Sequence, residues 1–111
     1  MVEYAINLDT IFSSLSDPTR RDILRRVMGS DLTISEIAQP YDLTFAAVSK
    51  HLKVLEKAKL IIKQRRGKEQ VVHISPQTLK SVDDYLKFYR QLWETRLDSL
   101  ESYLNEDENK E

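Results

Sequence analysis

The sequence predicts a mainly α-helical fold with one small β-hairpin, and three observations support this. Apolar residues recur at three- and four-residue steps through most of the 111 residues, which is the period of helices that cover a core. Two short runs rich in β-branched residues flank Gly67, as in a hairpin. No repeat or linker interrupts the chain, so we expect a single domain over 1–104 and an acidic flexible tail over 105–111.

The first two helices are predicted from their start signals and apolar spacing. The first should span about 7–15, with an apolar side formed by Leu8, Ile11, Phe12 and Leu15. Asp17 is placed to cap the second helix, and Pro18 suits its first turn, where a missing N–H costs nothing. The core face of this second helix contains Ile23, Leu24 and Val27, and the helix should end at Gly29.

A short third helix and a longer fourth helix are predicted on either side of a tight turn. Thr33 and Glu36 have the spacing of a capping box for a helix through Ala38, and Leu32 before it suits a short strand. The turn lies at 40–42, and Thr44 caps a fourth helix that should stop near Ala58 and Lys59. One side of the fourth helix is apolar (Val48, Leu52, Leu55), and the other is small and basic (Ala46, Ser49, Lys50, Lys53, Lys57). A small, basic face suits a helix that enters a DNA major groove.

A basic hairpin follows the fourth helix. Its strands are predicted at 60–64 and 70–74, with the turn around Gly67. The tip carries Arg65, Arg66 and Lys68. Charged tips are a common way to keep a hairpin soluble, but beside a recognition helix they favour contact with the adjacent minor groove or backbone.

The last predicted helix, over about 78–104, carries a long apolar stripe: Leu79, Val82, Leu86, Tyr89, Trp93, Leu97, Leu100 and Leu104. One small core cannot cover a stripe of this length, so we expect it to pack against a second copy of the chain. The alternative is that Phe88, Tyr89, Trp93 and Tyr103 line a pocket for a small-molecule effector.

Charge is unevenly distributed. The net charge is −1, yet residues 44–68 hold eight basic residues and one acidic residue, a local charge of +7. The local field governs the encounter with a polyanion, so this segment favours DNA as partner. There is no cysteine, and His51 and His73 alone do not suggest a metal site. We expect no cofactor, no enzymatic activity, no membrane association and a cytoplasmic location, since the corresponding motifs and apolar runs are absent from the sequence.

Three segments carry a resemblance to a known family. They are Asp17-Pro18-Thr19-Arg20-Arg21 with Ile23-Leu24, the Ser49-Lys50-His51-Leu52-Lys53-Val54-Leu55 helix, and the hairpin from Leu60-Ile61 to Arg66-Gly67-Lys68. Together, over roughly 8–74, they resemble the ArsR/SmtB-type winged-helix repressors in order and spacing. The segment 93–104 resembles the final helix of a subgroup without evident metal motifs.

The resemblance implies a winged helix-turn-helix homodimer, joined through its first and last helices, that binds a palindromic operator near its own promoter and represses it. The DNA-binding part would be about 17–75 and the dimerisation helix about 78–104. Metal-sensing members have ligands where this chain has Thr33 and Ser35, or Asp83 and Asp84 without a histidine, so metal sensing is not expected. Lys59 replaces a family glycine and must either adopt a left-handed conformation or end the helix differently.

The predicted DNA contacts are Thr44, Phe45, Ala46, Ser49, Lys50, Lys53, Arg65, Arg66 and Lys68. Alternatives stay open for several of them: Thr44 also serves as a cap, Phe45 either contacts a thymine methyl or lies at the core edge, and Ser49 and Lys50 either bind phosphate or are solvated. The predicted dimer contacts are Leu8, Ile11, Phe12, Leu86, Tyr89, Trp93, Leu97 and Leu100.

The sequence also predicts positions or partners for two arginines and two histidines. We expect Arg20 to form an internal ion pair with Asp17 or Asp22, and Arg21 to contact phosphate. His51 is expected at the core edge and His73 on an exposed strand. Two alternative functions remain at this point: a winged-helix protein-interaction module that does not bind DNA, and a sensor whose DNA binding is switched by a ligand in the dimer cleft.

Overall fold

The structure is a computed structural model that describes residues 7–109. Five helices and three strands follow one another in this range: α1 (Leu8–Ser14), α2 (Pro18–Gly29), β1 (Leu32–Thr33), α3 (Ile34–Ala38), α4 (Phe45–Lys57), β2 (Ile61–Arg66), β3 (Glu69–Ile74) and α5 (Pro76–Asn109). The contacts divide the chain into two compact units, one up to Leu79 and one from Lys80 onward. The prediction of a mainly helical fold with a small sheet is confirmed.

Local side-chain hydrogen bonds begin the helices of the first unit where the sequence predicted. Asn7 Oδ1 accepts from the backbone N of Thr10 at 3.1 Å, and Asp17 Oδ2 accepts from that of Arg20 at 3.0 Å. Because the backbone N–H of Arg20 stabilises the carboxylate, the pKa of Asp17 is lowered. Thr33 and Glu36 form the predicted capping box at α3.

The end of α4 is a left-handed cap at Lys59, whose φ is 64°. The backbone N of Leu60 donates to Leu55 O at 3.1 Å, and that of Lys59 donates to Glu56 O at 2.9 Å. This pair of bonds is the Schellman arrangement, and buried Leu55 and Leu60 accompany it. Of the two outcomes predicted for Lys59, the structure therefore adopts the left-handed conformation.

A three-stranded antiparallel sheet completes the first unit, in the order β1-β3-β2. Its hairpin pairs Ile61 with Ile74 at the base and Arg66 with Glu69 at the tip, so both strands extend closer to the turn than predicted. Gly67, the first of the two loop residues, has φ 63°, as the tight hairpin turn requires. The two-residue β1 pairs Leu32 with Val72.

The core of the first unit draws on the four helices α1 to α4 and on the hairpin strands β2 and β3. Its residues with 2% exposure or less are Ile11, Ile23, Val27, Ile37, Val48, Leu52, Leu55, Leu60, Ile61 and Val72. Because α4 buries three of these on one side, its opposite side is fixed outward. The position of the recognition surface therefore follows from core packing.

The second unit consists of α5 from Lys80 onward. The helix begins at Pro76, earlier than predicted, and continues to Asn109 instead of ending at Leu104, because no glycine or proline interrupts 105–109. The predicted tail is therefore helical as far as Asn109; Lys110 and Glu111 lie outside the described residues. Pairs one turn apart, such as Lys80 with Asp84 at 3.5 Å and Lys87 with Asp83 at 3.4 Å, support the helix.

In the described range, no helix is both long enough and apolar enough to cross a lipid bilayer.

Candidate nucleic-acid interface

The outward side of α4 presents the residues predicted to contact DNA. Phe45, Ala46, Lys50 and Lys53 are exposed, as is Thr44 at the cap, while Ser49 is half-buried. The inward side is held by Val48, Leu52 and Leu55, each 0% exposed. The structure thus brings the α4 candidates together on one helix face, with the basic residues one turn apart.

Thr44 serves as the cap of α4, one of the two roles predicted for it, and its contact with DNA stays a prediction. Its Oγ1 accepts a hydrogen bond from the backbone N of Ala47 at 3.1 Å, so the oxygen caps α4. A hydroxyl group has one hydrogen to donate in addition to its lone pairs. The cap therefore leaves the Thr44 hydroxyl able to donate to a phosphate or base.

Phe45 does not lie at the core edge. Its side chain is 59% exposed on the first residue of α4, so that alternative was wrong. The reason is positional: at the start of the helix the backbone has just left the turn, and the core is already closed by Val48 and Leu52. An exposed ring of this size is therefore available to a ligand.

The hairpin tip holds the second group of predicted contacts. Arg65, Arg66 and Lys68 are exposed, and Arg65 Nε donates to Gly67 O at 3.2 Å, which orients its guanidinium over the turn. Lys63 is different, because its Nζ lies 3.3 Å from Glu56 Oε1 and ties β2 to α4. We therefore place Lys63 with the scaffold and the tip residues with the exposed basic surface.

A clamp that the sequence did not reveal holds the turn before α4. Arg26 Nη1 donates to Ile37 O at 2.8 Å and Nη2 donates to Glu36 O at 3.0 Å, so the guanidinium satisfies carbonyls near the end of α3. The same guanidinium lies 5.4 Å from the centre of the Tyr41 ring. We name Arg26, Tyr41 and Asp22 the turn clamp, since they bind the α3–α4 turn to α2.

The charges of the turn clamp support one another. The hydroxyl of Tyr41 donates to Asp22, which also pairs with Arg25. The hydrogen bond from Tyr41 and the charge of Arg25 lower the pKa of Asp22. Burial, followed by the hydrogen bond to Asp22, raises the pKa of Tyr41. At neutral pH the clamp is therefore an ionised carboxylate with a protonated phenol. The sequence did not predict this clamp because Tyr41 lies 19 residues from Asp22, and no local spacing pattern links residues so far apart.

Arg20 and Arg21 bind the carbonyls that end α1, a contact that was predicted for neither residue. Arg20 Nε donates to Ser14 O at 2.6 Å, and Arg21 Nη1 donates to Leu15 O at 2.8 Å. Cations at the negative end of α1 are favourable, and this offsets their unfavourable position at the start of α2. Arg20 is thus held by a carbonyl, and, in addition to its backbone N–H, its charge lowers the pKa of Asp17, one of the two acids predicted as its partner. The contact of Arg21 with phosphate stays a prediction.

The two histidines have polar neighbours. His51 is half-buried as predicted, with Nδ1 3.4 Å from Arg20 Nη1 and 3.9 Å from Asp17 Oδ2. His73 was predicted to be exposed, but it is half-buried with Nδ1 2.8 Å from Asp31 Oδ2, because β1 covers that end of β3. Within 7–109, no group of three or more histidine and acidic side chains is arranged to hold a metal.

The predicted dimer residues differ in exposure. Ile11 is 1% exposed and belongs to the core of its own protomer, so it does not fit a surface seam; it lies on the inner side of the short helix α1. Leu8 is half-buried and Phe12 is exposed. In the second unit every predicted residue is exposed: Leu86, Tyr89, Trp93, Leu97 and Leu100.

Comparison with known proteins agrees with this geometry. Residues 15–64 match a family model described as a helix-turn-helix domain. The chain is 39% identical over 83 residues to the uncharacterised HTH-type transcriptional regulator YuzN of Bacillus subtilis, covering 68% of this chain and 90% of that protein. It is 37% identical over 60 residues to the transcriptional repressor SdpR of the same organism, covering 54% of this chain and 67% of that protein.

A solved structure extends the comparison to the fold. The crystal structure of an ArsR family transcriptional regulator, RHA00566, superimposes with a TM-score of 0.71 at 33% identity, covering 78% of this chain and 96% of that one. The capped helices, the exposed basic face of α4 and the basic hairpin are thus found in a chain whose relatives are transcriptional regulators. This chain belongs to the ArsR family of winged helix-turn-helix DNA-binding transcriptional regulators, which are not enzymes.

Proposed function

We propose that the protein is a dimeric repressor, acting in the cytoplasm without a cofactor, that binds a palindromic operator and controls its own promoter. The observation that carries the proposal is the surface of residues 44–68, where a local charge of +7 lies on the exposed side of α4 and at the hairpin tip. The similarity to a transcriptional repressor supports repression as the outcome of binding.

In this proposal α4 enters the major groove. Ser49 and Lys50 bind phosphate at the groove edge, while Thr44, Phe45 and Ala46 lie nearest the bases because they form the start of the helix. Lys53 adds a second phosphate contact one turn along. Phosphate neutralisation supplies most of the affinity, and the contacts near Thr44 supply sequence preference.

The hairpin tip contacts the DNA beside the groove that α4 occupies. Arg65 and Arg66 end β2 and Lys68 lies in the two-residue turn, and so short a turn keeps the tip narrow. A narrow, A·T-rich minor groove has an enhanced negative potential that attracts arginine. We therefore expect the wing to bind the flanks of each half-site.

The exposed stripe of α5 supports the dimer. Trp93 is 62% exposed, and Leu86, Tyr89, Leu97 and Leu100 lie along the same side of the helix. Apolar surface of this extent is stabilised by burial against a second copy, together with Leu8 and Phe12 of α1. A two-fold dimer would place its recognition helices about 34 Å apart, which matches a palindrome with half-sites one turn apart.

The experiment is a salt titration of DNA binding by Lys50→Ala and Arg66→Ala variants. Each lost phosphate contact should lower the affinity and flatten the plot of log K against log salt concentration by about 0.9. Binding to one duplex would be measured by fluorescence anisotropy between about 50 and 300 mM salt.

Lys80→Ala is the matched control, because Lys80 is an exposed lysine that pairs with Asp84 outside the +7 segment. Its slope should equal that of the wild type. If the Lys50 and Arg66 variants kept the wild-type slope, the assignment of these residues to phosphate contacts would be wrong.

A further inference from the structure

We propose that Phe45, assisted by Ala46, reads the 5-methyl groups of thymine and so makes thymine a required base in each operator half-site. The inference rests on the proposed function, since it takes α4 to lie in the major groove. It identifies the 5-methyl group of thymine as the feature of DNA that determines specificity.

The start of α4 has few side chains that can read bases by hydrogen bonding. Residues 44–50 contain no arginine, asparagine, glutamine, aspartate or glutamate. These are the side chains that make most hydrogen-bonded base contacts, with arginine or lysine reading guanine and asparagine or glutamine reading adenine. Among residues 44–50, Lys50 on the second turn is the one residue with a side chain of these types. On the first turn, hydrogen-bonded readout is therefore limited to the hydroxyl of Thr44, while Ser49 and Lys50 on the second turn are assigned to phosphate.

The start of α4 also presents exposed apolar surface. Phe45 is 59% exposed, and Leu43 in the turn before it is 41% exposed. Ala46 is exposed beside them and adds a methyl group without bulk. The cap from Thr44 to Ala47 fixes where the helix begins, so the Phe45 ring has a defined starting position. The start of α4 is thus an ordered apolar surface.

The positive charge around this apolar surface indicates what kind of partner binds it. Lys50 and Lys53 are exposed on the same side of α4, within the +7 segment. A partner must therefore be a polyanion that also offers apolar groups at the base of a groove. In the major groove of unmodified DNA, the thymine methyl is the apolar group at the base edge. An apolar protein surface would leave the lysines without anionic partners.

The test compares thymine with uracil, which lacks only the 5-methyl group. A duplex is first selected from a random library by the purified wild-type protein. Each thymine in the selected half-site is then replaced by uracil, singly and at the symmetric position, and the affinity is measured by anisotropy.

The proposal gives a definite size for the effect. At least one replacement should weaken wild-type binding about fourfold, which is the loss of about 0.8 kcal/mol for one buried carbon group at 1.4 kcal/mol per tenfold. Replacement in both half-sites should weaken it about 15-fold, the product of two such losses. Phe45→Ala should lose most of the difference between the thymine and uracil duplexes, because only the Ala46 methyl remains, while Phe45→Leu should keep a larger part of it.

Two control variants separate this role from general effects. Met28→Ala removes an apolar side chain of similar exposure, 58%, from α2 and should leave discrimination unchanged. Lys53→Ala should weaken binding to both duplexes equally, because a phosphate contact carries no base information. The exposure of Phe45 makes loss of folding unexpected, and circular dichroism of each variant checks this.

Two results would overturn the proposal. One is a wild-type protein that binds every uracil duplex as tightly as thymine, or that selects no sequence at all. The other is a Phe45→Ala variant with undiminished thymine preference. A selected sequence without two-fold symmetry would contradict the proposed dimer instead, and the thymine comparison would still be decisive for Phe45.

Discussion

Lys59 ends the recognition helix in a backbone conformation that favours glycine. Its φ of 64° places Cβ close to the following carbonyl, at a cost of roughly 1–2 kcal/mol for a residue with a side chain. The Schellman bonds from Lys59 and Leu60 and the burial of Leu60 offset only part of that cost. The residue therefore sacrifices stability at the junction between α4 and the wing.

Replacing Lys59 by glycine should stabilise the protein. We expect Lys59→Gly to raise the free energy of unfolding by about 0.5–1 kcal/mol, because relief of the left-handed strain exceeds the entropy that glycine adds to the unfolded chain. Thermal and urea unfolding measure the change. Lys53→Gly, at an exposed lysine inside the helix, is the matched control and should lower stability by about 0.5–1 kcal/mol. Equal effects of the two glycines would contradict this account of Lys59.

Residues whose partners are close in sequence were predictable, and those with distant partners were not. The caps at Asp17, Thr33 and Thr44 each bind a backbone N–H three residues ahead, so sequence spacing identifies them. The carbonyl partners of Arg20 and Arg21 depend on how α1 meets α2, which no local pattern encodes. The same holds for His73, whose partner Asp31 lies across the sheet.

At the scale of elements, core packing fixes which side of α4 faces outward, and the turn clamp holds the turn that precedes the helix. The recognition helix has few polar contacts of its own with α2, whereas Arg26 connects α2 to the end of α3, immediately before the turn that leads into α4. Tyr41 packs against that guanidinium from within the turn. We therefore expect the clamp to hold the turn from which α4 begins, and so to act on DNA binding through the placement of the helix start.

Removal of Arg26 should therefore affect both stability and binding. Arg26→Ala deletes two charge-assisted hydrogen bonds, and we expect a loss of about 1.5–3 kcal/mol in unfolding free energy with weaker DNA binding. The slope of log K against log salt should not change, because no phosphate contact is lost. Urea unfolding and salt-titrated anisotropy give the two values.

Arg25→Ala provides the comparison for Arg26. Arg25 is highly exposed and pairs with Asp22 at the surface, so its loss should cost less than about 1 kcal/mol. A flatter salt slope in Arg26→Ala would show direct phosphate contact and contradict a positioning role.

Most element boundaries were predictable because caps and breakers are local. The two ends of α5 show the limits: the helix begins at Pro76, where Ser75 accepts from the backbone N of Thr78, and it continues to Asn109 in the absence of a breaker. The hairpin strands also extend closer to their turn than predicted. The face of α4 was predictable as well, since Val48, Leu52 and Leu55 repeat at helical spacing. The exposure of Phe45 was not, because a first-turn residue lies at the border of both faces.

At the scale of the whole molecule, basic charge and exposed apolar surface are concentrated in different segments of the chain. Basic charge is concentrated in 44–68, while the segment from Pro76 onward has nine acidic and five basic residues, a local charge of −4. Apolar exposure is concentrated in the second unit, along Leu86, Trp93 and Leu100. One segment thus has the charge to bind a polyanion, and the other has the surface to bind a second copy.

The most direct test of the dimeric DNA complex uses the absence of cysteine from the chain. A Lys57→Cys variant gives a single attachment point for an iron chelate on the exposed side of α4. Hydroxyl radicals from the chelate would then cleave the selected duplex near each recognition helix. Wild-type protein treated with the same reagent is the control and should leave the DNA uncut. We expect two symmetric clusters of cleavage about 10 base pairs apart; a single cluster, or cleavage spread evenly along the duplex, would contradict a dimer that places two α4 helices in successive major grooves.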